Sequence, residues 1–331
     1  MTEGASLATA LTRDAKVELP LIGGAMYPCS NPELVAAVSR GGGIGIVQPV
    51  SLTFVYHHDF REGLRLIRSL TDRPIGMNAL IEASSRAYKK RMEEWVDIAI
   101  EEGIRFFVTS LGKPDWVVKR AESVGGIVYH DVTERRWALK ALDSGVHGFI
   151  GVNRNAGGHA GTLSPEALLE QLADLGRPVV CAGGVGAPAA FAGALRMGYA
   201  GVQIGTRLIA TTESKCSDAY KRAIVEARAE DIVLTERVTG VPIAVIDTPY
   251  VRKVGLKAGP LARWMLRGHK RKHWMRSIYA IRSLFRLRHS SIAPTATADY
   301  WQAGRSVEGI DRVEPVEDIL AAFRRVALEA R

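Results

Sequence analysis

Short apolar runs alternate along the chain with longer stretches in which apolar residues recur every three or four positions, the pattern of strands feeding amphipathic helices. Strands are predicted at Pro20–Met26, Ile44–Gln48, Pro74–Asn78, Arg105–Ser110, Gly126–Asp131, Gly148–Val152, Pro178–Ala182 and Gly201–Gly205. Helices are predicted at Pro32–Ser39, Phe60–Leu70, Ala87–Glu102, Trp116–Ser123, Glu134–Asp143, Pro165–Leu175, Ala187–Met197 and Lys215–Arg228. Asn31, Thr133 and Ser164 stand before three of these helices, where a side-chain oxygen can accept an orphaned backbone N–H. Eight strand–helix units close a (β/α)8 barrel, a TIM barrel of α/β class. A doubly wound sheet is the competing arrangement, since its local pattern is the same.

The barrel pattern occupies residues 1–228 and leaves a tail. Within residues 229–298, Ile232–Arg237 and Val241–Asp247 flank a turn containing Gly240 and predict a strand pair. Farther on, Trp274, Ile278, Ile281 and Phe285 form a helical stripe, with Lys272, Arg276, Arg282 and Arg286 off it. That segment is expected to pack its apolar side on the barrel as a lid. Residues 299–331 are expected to return to the barrel, so the C-terminal extension caps or packs on it.

The chain has 331 residues, 47% apolar and 24% charged, enough for one elaborated barrel domain. Net charge is 44 − 35 = +9, and its source is local. Residues 248–298 hold twelve Lys or Arg and no Asp or Glu, leaving the remainder at 32 − 35 = −3. Such a segment is a solvated helical face, or it serves an anionic substrate, an acidic protein partner or a membrane surface. Cys29, Cys181 and Cys216 form no CxxC pair, which gives no disulfide framework and suits a reducing cytoplasm. No secretory signal is visible at the N-terminus. The uncharged run Val179–Leu195 is broken by Gly183, Gly184, Gly186 and Pro188, so no transmembrane segment is expected.

A phosphate site commonly forms after strands seven and eight of such barrels, and glycine stands at both places. Gly183 and Gly184 follow the seventh strand, and Gly205 and Thr206 follow the eighth. Glycine allows close backbone approach to phosphate oxygens, and Thr206 adds a hydroxyl donor. After the sixth strand comes Asn155-Ala156-Gly157-Gly158-His159-Ala160-Gly161. An imidazole in a glycine loop at the catalytic end can exchange protons near neutrality, so His159 is the candidate catalytic residue. The other histidines make no metal constellation, and no metal is expected. His130, at the end of the fifth strand, is better read as core than as site.

Together these residues resemble the nitronate monooxygenase family, formerly the 2-nitropropane dioxygenases. The resemblance runs through Gly23–Met26, Pro32-Glu33-Leu34, Gly42–Gly45, Asn78, Ala156–His159, Ala182–Val185 and Gln203–Thr206, covering residues 1–245. Tyr300–Gly304 with Gly309-Ile310 matches the family's C-terminal motif. The resemblance implies non-covalent FMN, with Ala25 and Met26 under the isoalloxazine and Asn78 contacting it. Gly157, Gly183, Gly184, Gln203, Ile204, Gly205 and Thr206 would complete the cofactor site.

Implied chemistry is oxidation of alkyl nitronates or nitroalkanes with molecular oxygen to a carbonyl compound and nitrite, His159 removing the α-proton of a neutral nitroalkane. Val152 and Asn155 depart from the glutamine and acid that many relatives carry there. The barrel and histidine loop are shared with NAD(P)H-dependent flavin reductases of the enoyl-acyl-carrier-protein and quinone type, which stand as the alternative. A flavin-binding scaffold docking an acidic partner is the reading from another class. Expected partners are a small-molecule substrate, anionic if the basic segment rims the mouth, and oxygen, without nucleic acid. A homodimer is left open.

Overall fold

The computed structural model describes residues 7–82, 86–238, 241–257, 287–292 and 300–329. Eight parallel strands form a closed barrel in sequence order. They are β1 (Leu21–Gly23), β2 (Ile44–Val47), β3 (Ile75–Ile81), β4 (Phe106–Leu111), β5 (Ile127–Val132), β6 (Gly148–Val152), β7 (Val179–Ala182) and β8 (Gly201–Ile204). The barrel is therefore a TIM barrel, and the doubly wound alternative falls with its closure, β8 pairing with β1 through Gln203 opposite Ile22.

Alternation along each strand sorts the side chains into two layers. Ile22, Ile44, Ile46, Phe106, Val108, Tyr129, Ile150, Val180 and Ala182 form the barrel interior. Their strand neighbours, among them Val47, Met77, Phe107, Val128, Phe149, Cys181 and Val202, face the surrounding helices. A first helix, α1 (Ala10–Ala15), supplies Leu11 and Ala15 to the floor of the interior. The Tyr129 hydroxyl reaches down to donate to Asp14 at 2.7 Å.

Around the barrel run α2 (Pro32–Arg40), α3 (Phe60–Leu70), α4 (Arg86–Glu101), α5 (Asp115–Glu122), α6 (Arg135–Leu142), α7 (Pro165–Leu172) and α8 (Pro188–Met197). Of the three expected caps, Ser164 accepts the Ala167 N–H at 3.2 Å. Asn31 holds the N-cap position without capping, because its amide donates to Glu33 at 2.8 Å and to the Glu213 carbonyl at 2.9 Å. Glu134, not Thr133, precedes α6, and its side chain makes no capping bond.

After β8 come α9 (Thr206–Ile209), α10 (Asp218–Glu226), the antiparallel pair β9 (Ile232–Thr235) and β10 (Ile243–Ile246), α11 (Pro249–Val254) and α12 (Val316–Glu329). The eighth place in the helical ring belongs to α12 rather than to the 215–228 stretch, for α12 packs on α8 and α2. Phe323 stacks on Phe191 at 5.4 Å, and Val316, Ile319 and Leu320 are buried beside it. At about 2 kcal/mol per buried apolar side chain, these four anchor the C-terminus on the barrel wall. Helix α10 instead lends Tyr220 and Ile224 to a separate apolar cluster with Ile246, Ala303 and Val307. The lid stripe Trp274–Phe285 lies outside the described residues. Among the described residues, no helix is long and apolar enough to cross a membrane.

Candidate active site

The mouth of the barrel is roofed by three segments that bond to one another. In the loop after β6, Gly158 exchanges backbone hydrogen bonds with Ala244 of β10, the Ala244 N–H donating to the Gly158 carbonyl at 2.7 Å. The Ile246 N–H donates to the Trp301 carbonyl at 2.9 Å. From the C-terminal segment, the Arg305 N–H donates to the Asn155 carbonyl at 2.9 Å, and the Gly304 N–H to Thr206 Oγ1 at 3.0 Å. A Cβ at Gly304 would lie 2.5 Å from the Asn155 carbonyl oxygen and 2.6 Å from the Gly157 nitrogen. That close approach joins the C-terminal motif to the histidine loop.

Asn153, which the sequence reading passed over, fixes the geometry beneath. Fully buried, it donates through Nδ2 to the Gly183 carbonyl at 3.0 Å and accepts the Asn155 N–H through Oδ1 at 2.8 Å. One side chain thus couples the loops after β6 and β7. Gly183 and Gly184 have φ of 118° and 84°, a region costly for other residues. A Cβ at Gly183 would also lie 2.5 Å from the Ala156 nitrogen.

Across the pocket, β8 ends at Ile204, whose carbonyl accepts the Gly24 N–H at 2.9 Å and so holds the start of the Ala25–Met26 turn beside Gly205. Ile204 itself is buried among the outer apolar residues, and only its backbone faces the turn. Gln203 and Asn78 fall on the interior parity of β8 and β3, since Val202, Ile204, Met77 and Ala79 all face outward. Thr206 is buried, and because its oxygen accepts from Gly304, its own proton is left to donate elsewhere. Gly157 is exposed on one side and packs on the other against Ala303 and Gly304.

These positions fit FMN on the protein's own terms. The amide oxygen of Gln203 is buried without a hydrogen-bond partner, aimed where a ligand donor would satisfy it. The Gly183–Gly184 turn, Gly205 and the Thr206 hydroxyl converge at the C-terminal ends of β7 and β8, where barrel enzymes hold phosphate. Among the described residues, no cluster of three or more His, Cys, Asp or Glu is placed for a metal ion.

His159 is carried on the arch between Gly158 and Gly161. Its side chain is accessible yet ringed by protein, and that partial desolvation lowers its pKa below the usual 6.5. Neutral at pH 7 and bonded to no other described residue, it can accept a proton. His130 turns away from the mouth, its Nδ1 bonded to Thr109 Oγ1 at 2.8 Å, and burial pushes its pKa down to about 4. Asp131, the next residue, shares the interior parity of Ile127 and Tyr129. The sequence reading did not single it out, although the alternation Ile127-Val128-Tyr129-His130-Asp131 contains the signal.

The family model for nitronate monooxygenase matches residues 8–321. The chain belongs to the nitronate monooxygenase family. It is thus an oxidoreductase of that class. A probable nitronate monooxygenase of Staphylococcus saprophyticus is 26% identical over 290 residues, covering 75% of this chain and 81% of the relative. A second relative, from Mycobacterium tuberculosis, is 30% identical over 261 residues, 78% of this chain and 70% of its own length. It is a hydroxy-methyl-oxo-octahydro-indene-carboxyl-CoA dehydrogenase. Among solved structures, FabK from Thermotoga maritima superposes with a TM-score of 0.79 at 25% identity, covering 97% of this chain and 96% of that one.

Proposed function

We propose that this enzyme binds FMN in the Gly183–Gly184 and Gly205–Thr206 cradle and oxidises alkyl nitronates, or nitroalkanes after loss of their α-proton, with oxygen. The observation that carries this reading is the placement of a neutral, accessible His159 on the arch over a barrel mouth whose glycine turns and Gln203 suit a flavin. FMN, when bound, supplies the electron acceptor that passes reducing equivalents to oxygen. Ala25 and Met26 would lie under its ring, Asn78 and Gln203 would bond its edge, and Gly157 would border it. Thr206 would donate to its phosphate. His159 takes the α-proton of a neutral substrate, a role its lowered pKa keeps available at neutrality. A preformed nitronate has already lost that proton and needs only to be oriented.

A second reading is favoured by two observations. The relatives from M. tuberculosis and Rhodococcus jostii, at 30% and 28% identity, are both named as carboxyl-CoA dehydrogenases. Of the basic segment, Arg288 bonds His57 Nε2 at 3.0 Å and acts electrostatically on Tyr27, the neighbour of Met26. A cation there suits an acyl thioester on a phosphate-bearing carrier, whose α-hydrogens are also acidic. Oxygen uptake and nitrite release with ethylnitronate support the first reading. Their absence, with dehydrogenation of an acyl-CoA, would replace it by the second, and reduction that requires NADH would replace both by a reductase.

A further inference from the structure

Among the described residues, Asp131 puts a carboxyl group on the barrel interior that has no part in flavin binding or proton abstraction. Asp131 is the next-to-last residue of β5, two positions above Tyr129 on the strand face that lines the barrel interior. Its β6 neighbour in register is Ile150, and on the β4 side His130 pairs with Thr109, which sets Ser110 beside it. Oδ1 is sealed from solvent and has no hydrogen-bond partner. A buried carboxyl oxygen left unmatched, on a residue that is itself only partly buried, is a costly arrangement that packing alone does not favour.

The loop that bears His159 packs against the segment that follows β5. The Gly161 N–H donates to the Asn153 carbonyl at 3.3 Å, and a Cβ at Gly161 would sit 2.3 Å from the Val152 carbonyl oxygen and 3.3 Å from Thr133 Cβ. Gly161 is two residues from His159, and Thr133 is two residues from Asp131. The loop bearing His159 and the segment following Asp131 therefore meet at the ends of β5 and β6. The charged and titratable groups on the flanking elements are Lys113 after β4, Glu134, Arg135 and Arg136 at the start of α6, and Arg154 and His159 after β6. None of them moves the carboxyl's pKa, which burial alone raises to about 7.

We propose that Asp131 donates its carboxyl proton in a hydrogen bond to the substrate oxygen that gains negative charge when His159 removes the neighbouring α-proton. In that step the α-C–H bond breaks and an N–H bond forms on His159. The electron pair moves into the double bond to the adjacent atom, and the charge settles on the oxygen that accepts from Asp131. The Asp131 proton stays on its own oxygen, so no oxidant enters the step. A preformed anion of the same shape is held by the same bond. This assignment rests on the reading of His159 as the base.

The test is calorimetric titration of the holoenzyme with inorganic nitrate, a planar oxyanion that is not oxidised. If Asp131 must be protonated to bind it, nitrate affinity falls about 25-fold between pH 6.5 and 8.5, the ratio of protonated fractions for a group titrating at about 7. Asp131→Asn keeps a donor without a titration, so its affinity should lose most of that pH dependence. Asp131→Leu has no donor, and its affinity at pH 6.5 should fall by about tenfold or more. Equal pH dependence in parent and Asp131→Asn, or no nitrate binding to the parent at pH 6.5, overturns the assignment. Nitrate binding of the expected form without oxidation of ethylnitronate would reject the proposed substrate class and leave this role for Asp131 standing.

Discussion

Asp131 should cost the fold stability, and the cost can be read from its pH dependence. In the unfolded chain its carboxyl ionises near 3.8, whereas in the folded protein burial holds it protonated up to about 7. Because the folded pKa is the higher one, its stabilising contribution is complete below 3.8 and is lost as pH rises toward 7. The full interval corresponds to about 4 kcal/mol, and partial solvent access to the rest of the residue brings the working figure to about 3 kcal/mol. Asp131→Asn removes that titration while nearly preserving shape. Urea denaturation of parent and variant at pH 4.5, 6 and 8 gives the difference between the two at each pH, in which all other titrating groups cancel. The variant should gain about 2–3 kcal/mol on the parent between pH 4.5 and 8. A difference that stays constant across the three pH values would show that Asp131 is ionised in the folded protein and refute the reasoning.

Asn153→Ala leaves the Gly183 carbonyl and Asn155 N–H without partners and should destabilise the protein by about 2–4 kcal/mol in urea denaturation, with weaker flavin retention on dialysis. Gly183→Ala forces a Cβ within 2.5 Å of the Ala156 nitrogen at a φ of 118°, so the purified variant should carry less than about a tenth of the parent's flavin by absorbance. His130 is depressed to about 4, so its contribution is intact above the unfolded value of 6.5 and disappears as pH falls toward 4. His130→Gln should therefore flatten the stability loss between pH 6.5 and 4 by about 2–3 kcal/mol in thermal or urea unfolding. With a neutral nitroalkane, kcat/KM should decline on the acid side as His159, its pKa lowered by burial, becomes protonated and cannot act as base, and on the alkaline side above about 7 as Asp131 loses the proton it donates.

The barrel was legible because each strand is a short apolar run between helices of helical period, and the eight predicted strands overlap the eight observed ones. The eighth helix was not. Lys215–Arg228 and Val316–Glu329 both carry apolar residues at helical spacing, and only the packing of Phe323 on Phe191 and of Leu320 against Gly41 selects the distant one. The glycine turns and His159 stood out by residue type and by their place after strands six to eight. Asn153 did not, because a buried asparagine that bonds backbone groups across two loops has no local pattern. Asp131 was hidden beside the more conspicuous His130. Strand alternation separates the two, but only once Tyr129 is known to face inward.

The most direct test of the account is anaerobic mixing of the purified flavoprotein with ethylnitronate and, separately, with nitroethane, each with parent and His159→Gln and followed by flavin absorbance. Parent absorbance should change with both substrates in the absence of NADH, and the variant should keep its response to ethylnitronate while slowing by about 10²–10⁴-fold with nitroethane. A parent protein that carries no flavin, that responds only after NADH is added, or whose variant reacts with nitroethane at the parental rate would contradict it.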